Sequence, residues 1–144
     1  MPSIKSLEQT IKKHLEDRGW DKLRPADIAK SIMIEGAELL ELFQWENAPL
    51  DEMRTRTDAL TEIKKELADV LIYCIEMSVL LQFDTEKIIR DKLALAQLKY
   101  PAALMKKMMG EPGTDRIYLG IKQTHRTRSN QKLKNKKRTK HSKQ

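Results

Sequence analysis

The chain has little of what several fold classes require. Its 144 residues include one cysteine, five glycines, five prolines and 5% aromatic side chains. A single cysteine excludes a disulfide framework and a multi-cysteine zinc site. So few turn formers and aromatics disfavour a β-sandwich or barrel, which needs many tight turns and strands rich in aromatic residues. No GxxxxGK[ST] stretch occurs, so there is no glycine loop of that type to cradle phosphates. The longest apolar run, Val70 to Phe83, is interrupted by Glu76 and is shorter than the ~20 residues of a membrane span. The opening residues, MPSIKSLEQTIKK, contain no apolar leader. These absences set the expectation of a cytoplasmic protein in a reducing setting, with no membrane partner.

Charge is what the chain has in quantity, at 34% of residues, and it is unevenly placed. Residues 122–144 hold ten Lys and Arg and no acid. Removing them leaves 18 basic against 21 acidic residues in 1–121, a net charge of −3, so the overall +7 belongs to the tail. From Lys122 onward Leu133 is the one large apolar residue, which reads as a disordered basic tail. Such a tail attracts nucleic acid non-specifically at most, because no aromatic residue follows Tyr118 to stack on bases.

Hydrophobic spacing predicts four helices. Ile4, Leu7, Ile11 and Leu15 mark the first, about Ser3 to Arg18, with Gly19 to stop it. The second starts at Pro25 and extends to about Glu46, where Asn47 and Pro49 end it. Residues 48–57 read as a loop. The third runs from an Asp58 cap to Leu81, and the fourth from Asp84-Thr85 to Tyr100-Pro101. The fold expected is therefore all-α, a four-helix bundle over residues 1–101. An irregular or short-helix extension over 102–121 and the tail over 122–144 follow. The second and third helices are apolar around most of their circumference, and a bundle this small buries little surface. Part of that surface is expected to lie in a homo-oligomer.

Within these apolar helices stand two acidic pairs, Glu35-x-x-Glu38 and Glu66-x-x-Asp69. Residues three apart share a helix face, so each pair sets two carboxylates side by side. Acids spaced this way usually mark a solvated face, but here the neighbours are Ile32, Ile34, Leu39, Leu40, Leu67, Val70 and Leu71. An unpaired buried carboxylate costs several kcal/mol or takes up a proton, and like charges add to that cost. No histidine lies in these helices to offset them. A hard divalent cation such as Mg²⁺ is the economical neutraliser. At ~100° per residue, Asp27, Ser31, Glu35, Glu38, Leu42 and Trp45 fall in one sector of ~80°. Glu66, Asp69, Tyr73 and Glu76 share another. Trp45 then offers a flat wall to a base, with Tyr73 one turn from Asp69. His14 reads as a surface helix residue and Glu76 as a solvated or interface group.

Taken in order, IEGAELLELFQW and ELADVLIY resemble the MazG-like all-α nucleoside triphosphate pyrophosphohydrolases, and among them the small house-cleaning hydrolases of the dCTP pyrophosphatase type. The likeness covers roughly Trp20 to Pro101. It implies that Glu35, Glu38, Glu66 and Asp69 are Mg²⁺ ligands, and that Trp20, Trp45 and Tyr73 line a base pocket. It also implies that Lys92 contacts phosphate and that Tyr100 belongs to the same substrate-binding set. The implied reaction converts a nucleoside triphosphate substrate to the monophosphate and pyrophosphate, in a homodimer or dimer of dimers. Glu38 is the first candidate for the base, with Glu35 the alternative. Ala96 stands where the family commonly has asparagine, which removes a polar contact to metal or phosphate. Two readings of another kind stay open: a non-catalytic nucleotide-binding bundle, and a nucleic-acid binder acting through the tail.

Overall fold

The computed structural model describes residues 3–108, 118–124 and 127. Every regular element among them is a helix: α1 (Ile4–Asp17), α2 (Pro25–Glu41), α3 (Leu50–Met53), α4 (Thr57–Leu80), α5 (Thr85–Lys99) and α6 (Ala102–Met108). Residues 118–124 are also helical. No helix among the described residues is long and apolar enough to cross a membrane. The chain forms two compact units that part between Ile89 and Arg90, inside α5.

In the first unit α1 and α2 both pack on α4. Helix α1 begins at a reciprocal cap. Ser6 N–H donates to Ser3 Oγ at 3.1 Å, and Ser3 N–H donates to Ser6 Oγ at 2.9 Å. It ends in a Schellman turn, with Gly19 N–H bonded to Glu16 O at 3.1 Å and Trp20 N–H to Leu15 O at 2.9 Å. That turn requires positive φ, and Gly19 supplies it at +67°. The end of α4 is built the same way, but Gln82 takes the left-handed position at φ 56°. Phe83 N–H closes the turn on Ser78 O at 2.8 Å. Asp84 caps α5 by accepting from Lys87 N–H at 2.8 Å, as its position suggests. Glu8 on α1 accepts from Thr85 N–H at 2.9 Å and ties the start of α5 to α1.

Two boundaries differ from the sequence reading. Helix α2 stops at Glu41 rather than Glu46. Its end tightens into i→i−3 bonds, Phe43 N–H to Leu40 O at 3.0 Å and Gln44 N–H to Glu41 O at 3.1 Å. Downstream, Arg56 pairs with both Glu46 and Glu52, which draws the chain after α2 toward the start of α4. The expected loop over 48–57 contains the single-turn α3 behind Pro49. Helix α4 starts at Thr57, so Asp58 lies in its first turn, where its charge favours the helix N-terminus, and does not cap it. The Met-rich piece forms α6. Apart from residues 122–124, which are helical, and 127, the expected tail over 122–144 lies outside the described residues.

The core is small. Ile11, Leu15 and Ile75 form its centre, with Val79 and Leu80 packed against it. Leu15 is 1% exposed and Ile28, on α2, 2%. Truncating either leaves a hole that a core this thin closes poorly. Leu15→Ala is expected to lower unfolding free energy by about 2–5 kcal/mol. Urea denaturation checks this, and a change below 1 kcal/mol would show that α1 is not anchored as drawn.

Candidate active site

Packing of α2 on α4 brings the two acidic pairs together. Glu35, Glu38 and Glu66 each place a carboxylate oxygen within 4.8 Å of the others. Glu35 and Glu66 are half-buried, and Glu38 is exposed at the edge of the group. Asp69 is not within that spacing, yet it acts on the same centre. The Glu35 carboxyl titrates above its ordinary value, first because it is desolvated and then because Glu38, Asp69 and Glu66 repel its charge. Among the described residues no ion pair reaches any of the four acids, and the nearby Lys65 instead pairs with Glu62 at 2.7 Å.

These donors suit a hard divalent ion. All are carboxylate oxygens, the class that Mg²⁺, Ca²⁺ and Mn²⁺ prefer. With ligands at about 2.1 Å, opposite oxygens of an octahedron lie about 4.2 Å apart, so small side-chain movements close the observed spacing. The mutual repulsion that raises Glu35 is the free energy a cation relieves.

Beside the acids opens a cavity of about 650 Å³. Asp69, Tyr73 and Glu76 line it from α4, Asp27 and Ser31 from α2, and His14 from α1, with Trp20 and several aliphatic side chains completing the wall. Asp69 thus belongs to both features: it borders the cavity and it bears on Glu35. Trp20 is held at the cavity by the Schellman turn that ends α1. His14 meets it edge-on at 5.9 Å between ring centroids, and the Arg18 guanidinium lies 5.9 Å from its ring. Both neighbours hold the half-exposed indole in place.

The other residues singled out from the sequence are distributed differently. Trp45 follows the tightened end of α2 and is 89% exposed, and it does not line this cavity. The helical stripe that relates it to Glu38 in sequence ends at Glu41. In the second unit, Lys92 is exposed on α5. Tyr100 stacks on Tyr118 at 5.1 Å. Ala96 is half-buried on α5. The sequence reading missed His14 and Glu76, treating the first as a surface helix residue and the second as a solvated or interface group. Glu76 is 4% exposed, and burial pushes its carboxyl above the usual range against the pull of His14. The available signal was that Glu76 shares the helical sector of Asp69 and Tyr73.

A group that binds its proton more tightly when folded stabilises the fold below its unfolded value, here 4.5, and that contribution is lost as pH rises through the folded value. Wild type is therefore expected to lose stability relative to Glu35→Gln as pH rises from 4.5 toward neutrality. Adding Mg²⁺ near neutral pH is expected to raise the melting temperature of wild type alone, by about 2.7 kcal/mol of stability at a hundredfold excess over Kd. Equal shifts in both proteins, read by scanning fluorimetry, would remove the cation from this site.

The comparisons with known proteins agree with this geometry. The family model described as "MazG-like family" matches residues 30–110, which contain all four acids. Human dCTP pyrophosphatase 1 is 28% identical over 108 residues, covering 72% of this chain and 62% of that protein. The rat dCTP pyrophosphatase 1 is 24% identical over 105 residues with the same coverage. The chain thus spans about 62% of the length of these curated relatives. A crystal structure of a pyrophosphatase from Archaeoglobus fulgidus superposes with a TM-score of 0.61 at 31% identity, covering 70% of this chain and 94% of that one. With two acid-bearing helices, an all-helical fold and a match over more than half its length, the chain belongs to the MazG-like family.

Proposed function

We propose that this protein is a Mg²⁺-dependent nucleotide pyrophosphohydrolase that splits nucleoside triphosphates into the monophosphate and pyrophosphate and so cleans the nucleotide pool. One observation carries the reading. Three carboxylates from α2 and α4 converge, and Asp69 joins that centre to a cavity walled by Trp20 and Tyr73. A phosphate chain needs cations and a base needs a flat apolar wall; here the two requirements are met side by side. The names of the matched relatives point the same way.

In this reading Glu35, Glu38, Glu66 and Asp69 hold the ion. When bound, it offsets charge on the phosphate oxygens and eases deprotonation of the attacking water. The chain's own side chains do the rest. Glu38, exposed at the edge of the cluster, has access to water and takes its proton, with Glu35 as the alternative base. Trp20 and Tyr73 stack on and orient the base. The family resemblance adds Lys92 as a phosphate contact and Tyr100 and Trp45 as substrate contacts. Residues 1–101 make up the working domain, with 102–121 as an extension.

A homodimer or dimer of dimers fits the exposed side chains. Met33, Ile34 and Leu40 on α2 and Leu67 and Leu71 on α4 are large, apolar and uncovered. Such surface is more than a lone chain leaves to water without reason. The basic residues from Lys122 add a salt-dependent, non-specific attraction to nucleic acid.

Two measurements test these points. Incubated with Mg²⁺ and a panel of canonical and modified triphosphates, wild type is expected to release pyrophosphate from at least one. Glu38→Gln is expected to lower kcat by about 10²–10⁴-fold with its fold intact. Absence of pyrophosphate release across the panel discards the enzymatic reading. In sedimentation, wild type is expected to run as a dimer or larger, and Leu40→Glu with Leu67→Glu as a monomer. A monomeric wild type at micromolar concentration contradicts the assembly.

A further inference from the structure

Glu76 is the feature of the cavity that the proposed chemistry leaves unused. A carboxyl that is 4% exposed ordinarily has hydrogen-bond partners, since burial without them is costly. Among the described residues no hydrogen bond or ion pair to Glu76 is present, and His14 is the one group that acts on it by charge. Its side chain lines the cavity together with His14 from α1, Asp27 from α2, and Asp69 and Tyr73 from α4. It is a partly dehydrated polar group facing a space large enough for a ligand.

Its position along α4 says which part of the ligand it meets. Glu76 follows Asp69 by seven residues, so the two lie about 10 Å apart along the helix axis. That is the reach of a nucleotide from its first phosphates to the far edge of its base. Tyr73 lies between them on the same face, and Trp20 walls the cavity. With phosphates at the acidic centre and a base against Trp20, the outer edge of the base meets the Glu76 carboxyl.

Resting on the pyrophosphohydrolase reading above, we propose that Glu76 is a specificity-determining residue whose carboxyl accepts hydrogen from an exocyclic amino group of the base. Such a base satisfies the buried oxygen in either protonation state of the carboxyl, because an ionised group offers two acceptors and a protonated one still offers an acceptor. Where the carboxyl is ionised, a base that presents a carbonyl at that place sets oxygen against oxygen and leaves the carboxylate unpartnered, whereas a protonated carboxyl donates to that carbonyl; the discrimination therefore belongs to the ionised form. The penalty then falls on selectivity, as in other sites whose buried polar groups are left unmatched. Cytosine and uracil are the matched pair for this chemistry, being alike in size and differing in amino against carbonyl at one ring position.

The experiment compares dCTP with dUTP, by kcat/KM for pyrophosphate release and by equilibrium binding of their non-hydrolysable α,β-methylene analogues. Wild type is expected to favour the amino-bearing member by about ten- to a hundredfold in both readouts. Glu76→Gln, whose amide can turn either oxygen or nitrogen to the base, is expected to bring the ratio toward unity, chiefly by gain on dUTP. Glu76→Met, similar in length but without an acceptor, is expected to collapse the ratio by loss on dCTP, and it serves if the glutamine variant fails to fold. Neither variant introduces a charge, so melting temperatures at or above wild type are expected. An unchanged ratio in the variants, or no discrimination by wild type while turnover persists, overturns the proposal and leaves the hydrolase reading standing. If wild type binds neither analogue, this proposal falls; if it also releases no pyrophosphate from any triphosphate of the panel, the hydrolase reading falls with it.

Discussion

Repulsion among carboxylates held in apolar surroundings is the constraint on which the rest of this structure depends. Glu35 is desolvated beside Ile34 and Gly36, and three further acids act on it from α2 and α4. The core cluster that opposes that repulsion is small among the described residues, centred on Ile11, Leu15 and Ile75. Arranging four acids to face each other is uneconomical unless something positive joins them. In the proposed reading function and stability are coupled through one centre: a cation held by the acids would also tie α2 to α4, and its binding energy would become folding energy.

The cavity extends this logic. Its two ends differ in kind: charge density at Asp69, and aromatic surface with one buried carboxyl at Trp20, Tyr73 and Glu76. Such polarity matches a ligand that is itself divided, ionic at one end and flat at the other. The placement of Trp20 shows how local chemistry serves this. Gly19 adopts a conformation other residues rarely take, the helix ends there, and the next side chain is delivered to the cavity wall.

Much of this is legible in particular residues. The ends of α1 and α5 are readable because Gly19 and Asp84 act within one turn of chain. The acidic pairs are readable because residues three apart on a helix must share a face. The early end of α2 is not, because it is accompanied by the pairing of Arg56 with Glu46 and Glu52, and two of these three groups are distant in sequence. The helical stripe that relates Trp45 to Glu38 ends at Glu41, so the place of Trp45 is set by the turns after α2 and not by helical periodicity. Glu76 is misread as a solvated or interface group because its burial comes from α1, whose contribution no pattern within α4 reveals.

By itself, the order of amino acids determined the helical class, the two acid pairs and the likeness to a family of nucleotide hydrolases. Those features rest on hydrogen bonds and side-chain spacings within a few residues of one another. Only the tertiary structure decided that Glu35, Glu38 and Glu66 draw within a single ion's span while Asp69 borders the cavity, that Trp20 lines that cavity and Trp45 does not, and that Glu76 and His14 share its lining. Each depends on how α1 and α2 lie against α4. That arrangement is set by packing among residues far apart in the chain, where local periodicity carries no information.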